Sequence, residues 1–89
     1  MTTLFVRQTI SDYKTWRKAY DDFASTRQRL GVTAATVYQA ADNLNDITVA
    51  HDFATLEAAQ DFAKSVELTK AMQNGGVAGA PTIWFTNKV

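Results

Sequence analysis

The chain has 89 residues, in which nine Lys plus Arg balance nine Asp plus Glu, with one histidine and no cysteine. A chain of this length supports one core, so a single domain over residues 1–89 is expected, and its zero net charge gives no field to draw nucleic acid or an anionic membrane. Without cysteine there is neither a disulfide framework nor a thiolate metal site. Met1 to Arg7 lacks the basic region of a secretory signal, and no stretch nears the roughly 18 consecutive apolar residues of a membrane span, so a cytoplasmic protein is expected.

Leu4 to Ile10 is rich in β-branched and aromatic residues and reads as a first strand. Ser11 is expected to cap the helix that follows, with Asp12 at the positive end of its dipole. Tyr13, Trp16, Tyr20, Phe23, Arg27 and Leu30 then recur at spacings of three and four, which predicts one amphipathic helix ending at Gly31. Val32 to Ala41 and Asp46 to Ala54 are strand-like runs around Asp42-Asn43-Leu44-Asn45, a turn-forming stretch, and predict a β-hairpin.

Thr55 caps a second helix with Leu56, Ala59, Phe62 and Ala63 inward. Ser65 caps a short third helix carrying Leu68, Ala71 and Met72, stopped by Asn74-Gly75-Gly76. Val77 to Ala80 reads as a loop, Gly75 to Gly79 as a mobile segment at a pocket mouth, and Pro81 to Thr86 as the last strand. The order β-α-β-β-α-β is that of the ferredoxin-like α+β fold, a four-stranded antiparallel sheet with helices on one face.

A sheet wetted on its second face should alternate apolar and polar residues. Leu4-Phe5-Val6, Val37-Tyr38 and Ile83-Trp84-Phe85 are apolar on both faces, which would leave a large exposed patch on a monomer. Two sheets packed face to face about a two-fold axis, closing a dimeric α+β barrel, remove that patch, so a homodimer is expected.

His51-Asp52-Phe53, Leu56-Glu57, Ala59, Phe62, Ser65, Glu67-Leu68, Ala71-Met72, Gly76-Val77, Gly79 and Pro81 resemble the small dimeric α+β barrel proteins around the antibiotic biosynthesis monooxygenases. Asp12-Tyr13, Trp16 and Gly31-Val32-Thr33 fit the same pattern, so the resemblance spans essentially the whole chain through fold and packing signatures. It implies a homodimer with an apolar pocket. It also implies an activity among cofactor-independent oxygenation of phenolic aromatics, polyketide cyclisation, lactone isomerisation and heme degradation. The Asn, Trp and His trio of the heme-degrading branch does not map here, because the first strand offers Arg7-Gln8 and the second helix has no Trp.

His51 is the one side chain that titrates near neutral pH when unperturbed. If Ala41 pairs with Asp46, then Tyr38, Val49, His51 and Phe53 share one face, and His51 meets Tyr38 in an apolar pocket as a neutral base; the alternative is a hydrogen-bonded interface histidine. Asp52 points to the opposite face, and one His without Cys lacks the ligand set of a zinc or iron site, so no metal is expected. Arg7 on the first strand is a candidate to hold an oxyanion, or else to pair with Asp52 or another carboxylate.

Phe5, Trp16, Phe53 and Trp84 are candidate pocket walls for a planar aromatic, with core filling the alternative for Trp16. Together these residues predict a small enzyme without cofactor, a monooxygenase or cyclase for a small apolar, aromatic or polyketide-like molecule. His51, Arg7 and Tyr38 would be its catalytic groups. The alternative is a non-catalytic dimer that binds a small ligand or assists another protein, favoured by the lack of a nucleophile beside a base, of paired carboxylates and of a cofactor fingerprint.

Overall fold

A computed structural model describes residues 1–89. Its elements are β1 (Thr2–Ile10), α1 (Tyr13–Asp22), α2 (Ala24–Arg29), β2 (Ala34–Ala40), β3 (Asn43–Phe53), α3 (Leu56–Lys64), α4 (Val66–Asn74) and β4 (Val77–Asn87). The strands form one antiparallel sheet in the order β2-β3-β1-β4, with the helices on one face, which is the ferredoxin-like α+β architecture. No helix is long and apolar enough to cross a membrane.

Local chemistry explains most element ends. Asp12, not Ser11, caps α1, its carboxylate accepting from the Thr15 backbone N–H at 3.0 Å. Thr55 and Ser65 cap α3 and α4 in the same way, through the N–H groups of Ala58 and Leu68. The long first helix expected from periodicity is instead two, broken at Phe23. Asp21 and Asp22 end α1 on the negative pole of its dipole, where carboxylates are unfavourable, and their pairs with Arg17 and Lys18 one turn back, both largely exposed, offset this only in part. The apolar stripe survives the break, which is why its spacing reads as one helix.

Residues 77–80 are strand rather than loop: Val77 and Ala78 pair with Ile10 and Thr9. The register slips between Arg7 and Thr9 because extra residues bulge from β4 around Gly79, whose φ of +70° suits glycine. A mobile segment at a pocket mouth is therefore not what Gly75 to Gly79 form; Gly75 is buried against Trp16, Gly76 completes the turn, and Val77 to Gly79 belong to β4.

On the helix-covered face, Leu4, Val6 and Phe53 pack with Ala59, Phe62 and Leu68, and Ile10, Ile47 and Val49 pack with Trp16, all nearly inaccessible to water. Burying one such side chain contributes about 1.5–3 kcal/mol, so these few account for much of what holds the helices to the sheet. The opposite face carries Thr3, Phe5 and Arg7 of β1 beside Asp52, Ala50 and Thr48 of β3, with Trp84 and Tyr38 on the flanking strands. There Phe5 stacks on Trp84 with ring centroids 5.1 Å apart, while Trp84 and Tyr38 remain 39% and 55% exposed.

A cavity between sheet and helices

The hairpin register decides which candidate residues meet. Tyr38 pairs with Thr48 and Val37 with Val49, one residue away from the pairing of Ala41 with Asp46 expected above. Because side chains alternate along a strand, that single step reverses the face of everything on β2 relative to β3. Val37 thus joins His51 on the helix face, while Tyr38 faces away with Phe5 and Trp84. The expected pairing of His51 with Tyr38 is corrected accordingly.

Arg7 also lies on the outer face, where its guanidinium makes a two-pronged contact with the Asp46 carboxylate at 2.6 and 3.1 Å. That hydrogen bond, with the charge of Asp46, raises the Arg7 pKa and holds Asp46 below its usual range. Asp52 is turned outward too, accepting from Thr3 at 2.6 Å, so it does not orient the imidazole. Of the four expected wall residues, Trp16 and Phe53 stand on the helix side and Phe5 and Trp84 on the other. The sheet thus separates the expected site into two groups.

On the helix side, His51 and Trp16 line a narrow cavity between sheet and helices, while Phe53 packs on Phe62 in the core outside it. Val6, Gln8, Val49 and His51 form its floor, and Trp16, Tyr20, Phe23, Leu68, Ala71 and Met72 its roof. Its free volume is about 30 Å³, near the share of a single water molecule in the liquid. His51 is 3% exposed and its ring packs 5.2 Å from that of Phe62. Burial, with the positive charge of Arg27 second, lowers its pKa to about 4; the Leu4 carbonyl and Asp52 act weakly the other way. The imidazole is therefore neutral at pH 7, with one donor and one acceptor nitrogen.

Two buried polar atoms here have no hydrogen-bond partner: His51 Nδ1 and Gln8 Oε1. Both belong to residues lining the cavity, and an unpaired buried polar group costs roughly 1–3 kcal/mol. Gln8 pairs with Ile47 and Leu4 with His51, so the two side chains start about 14 Å apart along the strands at roughly 3.4 Å per residue. No single water reaches both.

Gln8 was legible as the one polar residue in the inward series Leu4, Val6, Gln8, Ile10, and Arg27 as the one charge in the apolar stripe of the first helical segment. A larger groove of about 550 Å³ between α1 and α4 is open and edged by Lys18, Asp22, Glu67 and Lys70, charges that alternate and converge on nothing. No group of three or more His, Cys, Asp or Glu is placed to hold a metal ion.

Solved structures with the same architecture give this geometry a context. A protein from Bordetella bronchiseptica, provisionally named an antibiotic biosynthesis monooxygenase, superposes with a TM-score of 0.85 over 99% of this chain and 96% of its own, at 13% identity. The fold is that of the antibiotic biosynthesis monooxygenases. SnoaB, a cofactor-independent oxygenase from Streptomyces nogalater, shares it at a TM-score of 0.80 and 11% identity, over 99% of this chain and 92% of SnoaB. A conserved protein from Methanosarcina mazei, for which no activity is named, shares it at 0.78 and 10% identity over 99% and 92%. No family model and no curated protein matches the chain by sequence. The antibiotic biosynthesis monooxygenase fold is thus shared at identities that carry architecture but no residue roles.

Proposed function

We propose that the chain is a small enzyme that acts on an aromatic or polyketide-like molecule, by oxygenation or enol-dependent cyclisation, with no resident cofactor. The observation that carries this reading is the only histidine of the chain, buried neutral in an apolar cavity with its Nδ1 unpartnered. A buried neutral imidazole in the wall of a cavity, with one nitrogen left unpaired, has the capacity to accept a proton or a hydrogen bond from a guest once the wall opens. SnoaB, with the same fold, is a cofactor-independent oxygenase, which supports that class of chemistry.

His51 here relays rather than stores a proton. An imidazole of pKa about 4 does not hold a proton at pH 7, so it takes the substrate proton through one nitrogen as the enolate or phenolate forms and gives it up again. In the oxygenase variant the carbanion reduces dioxygen, one oxygen atom stays as a carbonyl and the other leaves as water. Trp16 and Phe23 supply flat walls, and Gln8 offers an amide to a polar substituent. Because the free cavity is narrow, a guest enters only as Met72 and Tyr20, both partly exposed, give way.

The outer face completes the proposal. A second copy packed on Phe5, Tyr38 and Trp84 covers these aromatics and makes the homodimeric barrel, and Arg7 and Tyr38 belong to that interface rather than to the cavity. Oxygen consumption with an anthrone-like or phenolic probe tests the enzyme reading. His51→Ala should lower turnover by roughly 10²- to 10⁴-fold. Equal rates for the variant and the parent would sink it, and a probe that raises the melting temperature without being consumed would favour a ligand-binding protein instead.

A further inference from the structure

The chain has four arginines, at 7, 17, 27 and 29. The more exposed of them are all bonded to carboxylates: Arg7 to Asp46, Arg17 to Asp21 at 3.2 Å and Arg29 to Glu67 at 3.3 Å. Arg27 is half-buried and has no carboxylate within ion-pair distance. One of its terminal nitrogens donates to the Tyr20 carbonyl near the end of α1, and its guanidinium lies 3.7 Å over the Tyr20 ring. Of five N–H donors, only that terminal nitrogen is engaged.

The usual order is reversed, since it is the desolvated cation that most needs an anion. A π-face and one carbonyl compensate only in part. Arg27 does not line the closed cavity but backs Tyr20, one of its walls, so a guest meets the guanidinium as Tyr20 gives way; it is also the charge that acts most strongly on His51. The other groups acting on Arg27 are Tyr20 and Asp21 of α1, which favour its charge, and Arg17, which opposes it. None is bonded to it as a counter-ion.

We infer that Arg27 selects the guest of this cavity by charge: the molecule carries a carboxylate, or an enol or phenol that ionises on binding, on an otherwise apolar flat body. This rests on the cavity being the binding site, as proposed above. It adds the recognition element that the neutral imidazole and the neutral Gln8 do not supply. The unpaired guanidinium is then completed by the ligand, whose negative charge offsets its desolvation.

The test compares 2-naphthoate with uncharged 2-naphthamide at pH 7. Dissociation constants are read from the imidazole NMR signals of His51, the one histidine present, so that only binding at the cavity is counted. Wild type should bind the acid roughly 5- to 30-fold more tightly than the amide, the gain of a charge-assisted over a neutral hydrogen bond. Arg27→Met should abolish that ratio while leaving the amide's constant in place, and Arg27→Lys should restore part of it. A purely structural Arg27 would weaken both probes alike, which overturns the inference. So does a wild type that takes both probes equally, a result that needs no variant to fold. If neither probe moves the His51 signals, the cavity is not the binding site and the proposed function falls as well.

Discussion

Lowering the pH from 7 to 5 should destabilise this protein through His51 alone. In the unfolded chain the imidazole has its ordinary pKa near 6.5; in the fold, burial and then Arg27 lower it to about 4. Above 6.5 both states are neutral and the group contributes no slope. Between 6.5 and 4 the unfolded chain binds a proton that the folded chain refuses, so stability falls as pH falls, and below 4 the loss is complete. The full difference is about 3 kcal/mol at 1.36 kcal/mol per unit, of which about 2 kcal/mol appears between pH 7 and pH 5.

The groups around the ring do not share that window. Arg27 from α2 stays charged throughout, Asp52 lies across the sheet, and the carboxylates with lowered values, Asp12, Asp46 and Glu67, lose their contributions only nearer pH 4 and below. Urea unfolding at pH 7, 6 and 5 measures the slope. Wild type should lose about 2 kcal/mol, equivalent to roughly 8–16 °C in melting temperature for a domain of this size. His51→Phe, which replaces the ring with one suited to its neighbour Phe62, should remove most of the dependence. A wild type that is flat over this range, or a variant with the same slope as wild type, would refute the claim that His51 is desolvated.

Phe62→Ala should cost roughly 3–5 kcal/mol in chemical unfolding, because this ring touches His51, Phe53 and Phe23 at once and no neighbour can fill its place. Gly76→Ala should cost roughly 1–3 kcal/mol by the same measurement, since Gly76 has φ +72° and a Cβ there would stand 2.5 Å from Ser11 Oγ. If the proposed dimer forms through the outer face, native mass spectrometry should find wild type as a dimer and Trp84→Arg as a monomer, while the His51 NMR titration stays unchanged, as the two residues lie on opposite faces of the sheet.

Element order was legible in the sequence because it rests on local signals: β-branched runs, Thr55 and Ser65 as caps, Asn74-Gly75-Gly76 as a stop. The site was less so, because it rests on register. Asp42 to Asn45 signals a turn without fixing which residues pair, and a strand slipped by one position looks as apolar as one in register when both faces carry apolar residues. Tyr38 therefore read as a partner of His51. Val77 to Ala80 misled for a different reason, since glycine there serves a bulge within a strand and its composition is that of a loop. The charge of Arg27 within an apolar stripe was visible, but its lack of a counter-ion is a fact of three dimensions.

The two faces make different demands on the same β1 strand. Val6 and Gln8 serve the cavity, while Phe5 and Arg7 between and beside them serve the exposed face. Alternation thus lets adjacent residues answer to separate functions, and the buried layer of β1 and β3 keeps them energetically distinct: residues with no shared partners add nearly independently in their effects. An outer-face change should alter assembly and a cavity change should alter the His51 titration or guest affinity, with little cross-talk. Any coupling that does appear must pass through the backbone of β1, where the slip between Arg7 and Thr9 brings the bulge of β4 next to Gln8. A Trp84→Arg, Gln8→Leu pair whose effects on guest affinity failed to add would therefore show that the outer face reaches the cavity along that strand, and that the proposed dimer would tune the site rather than merely cover an apolar face.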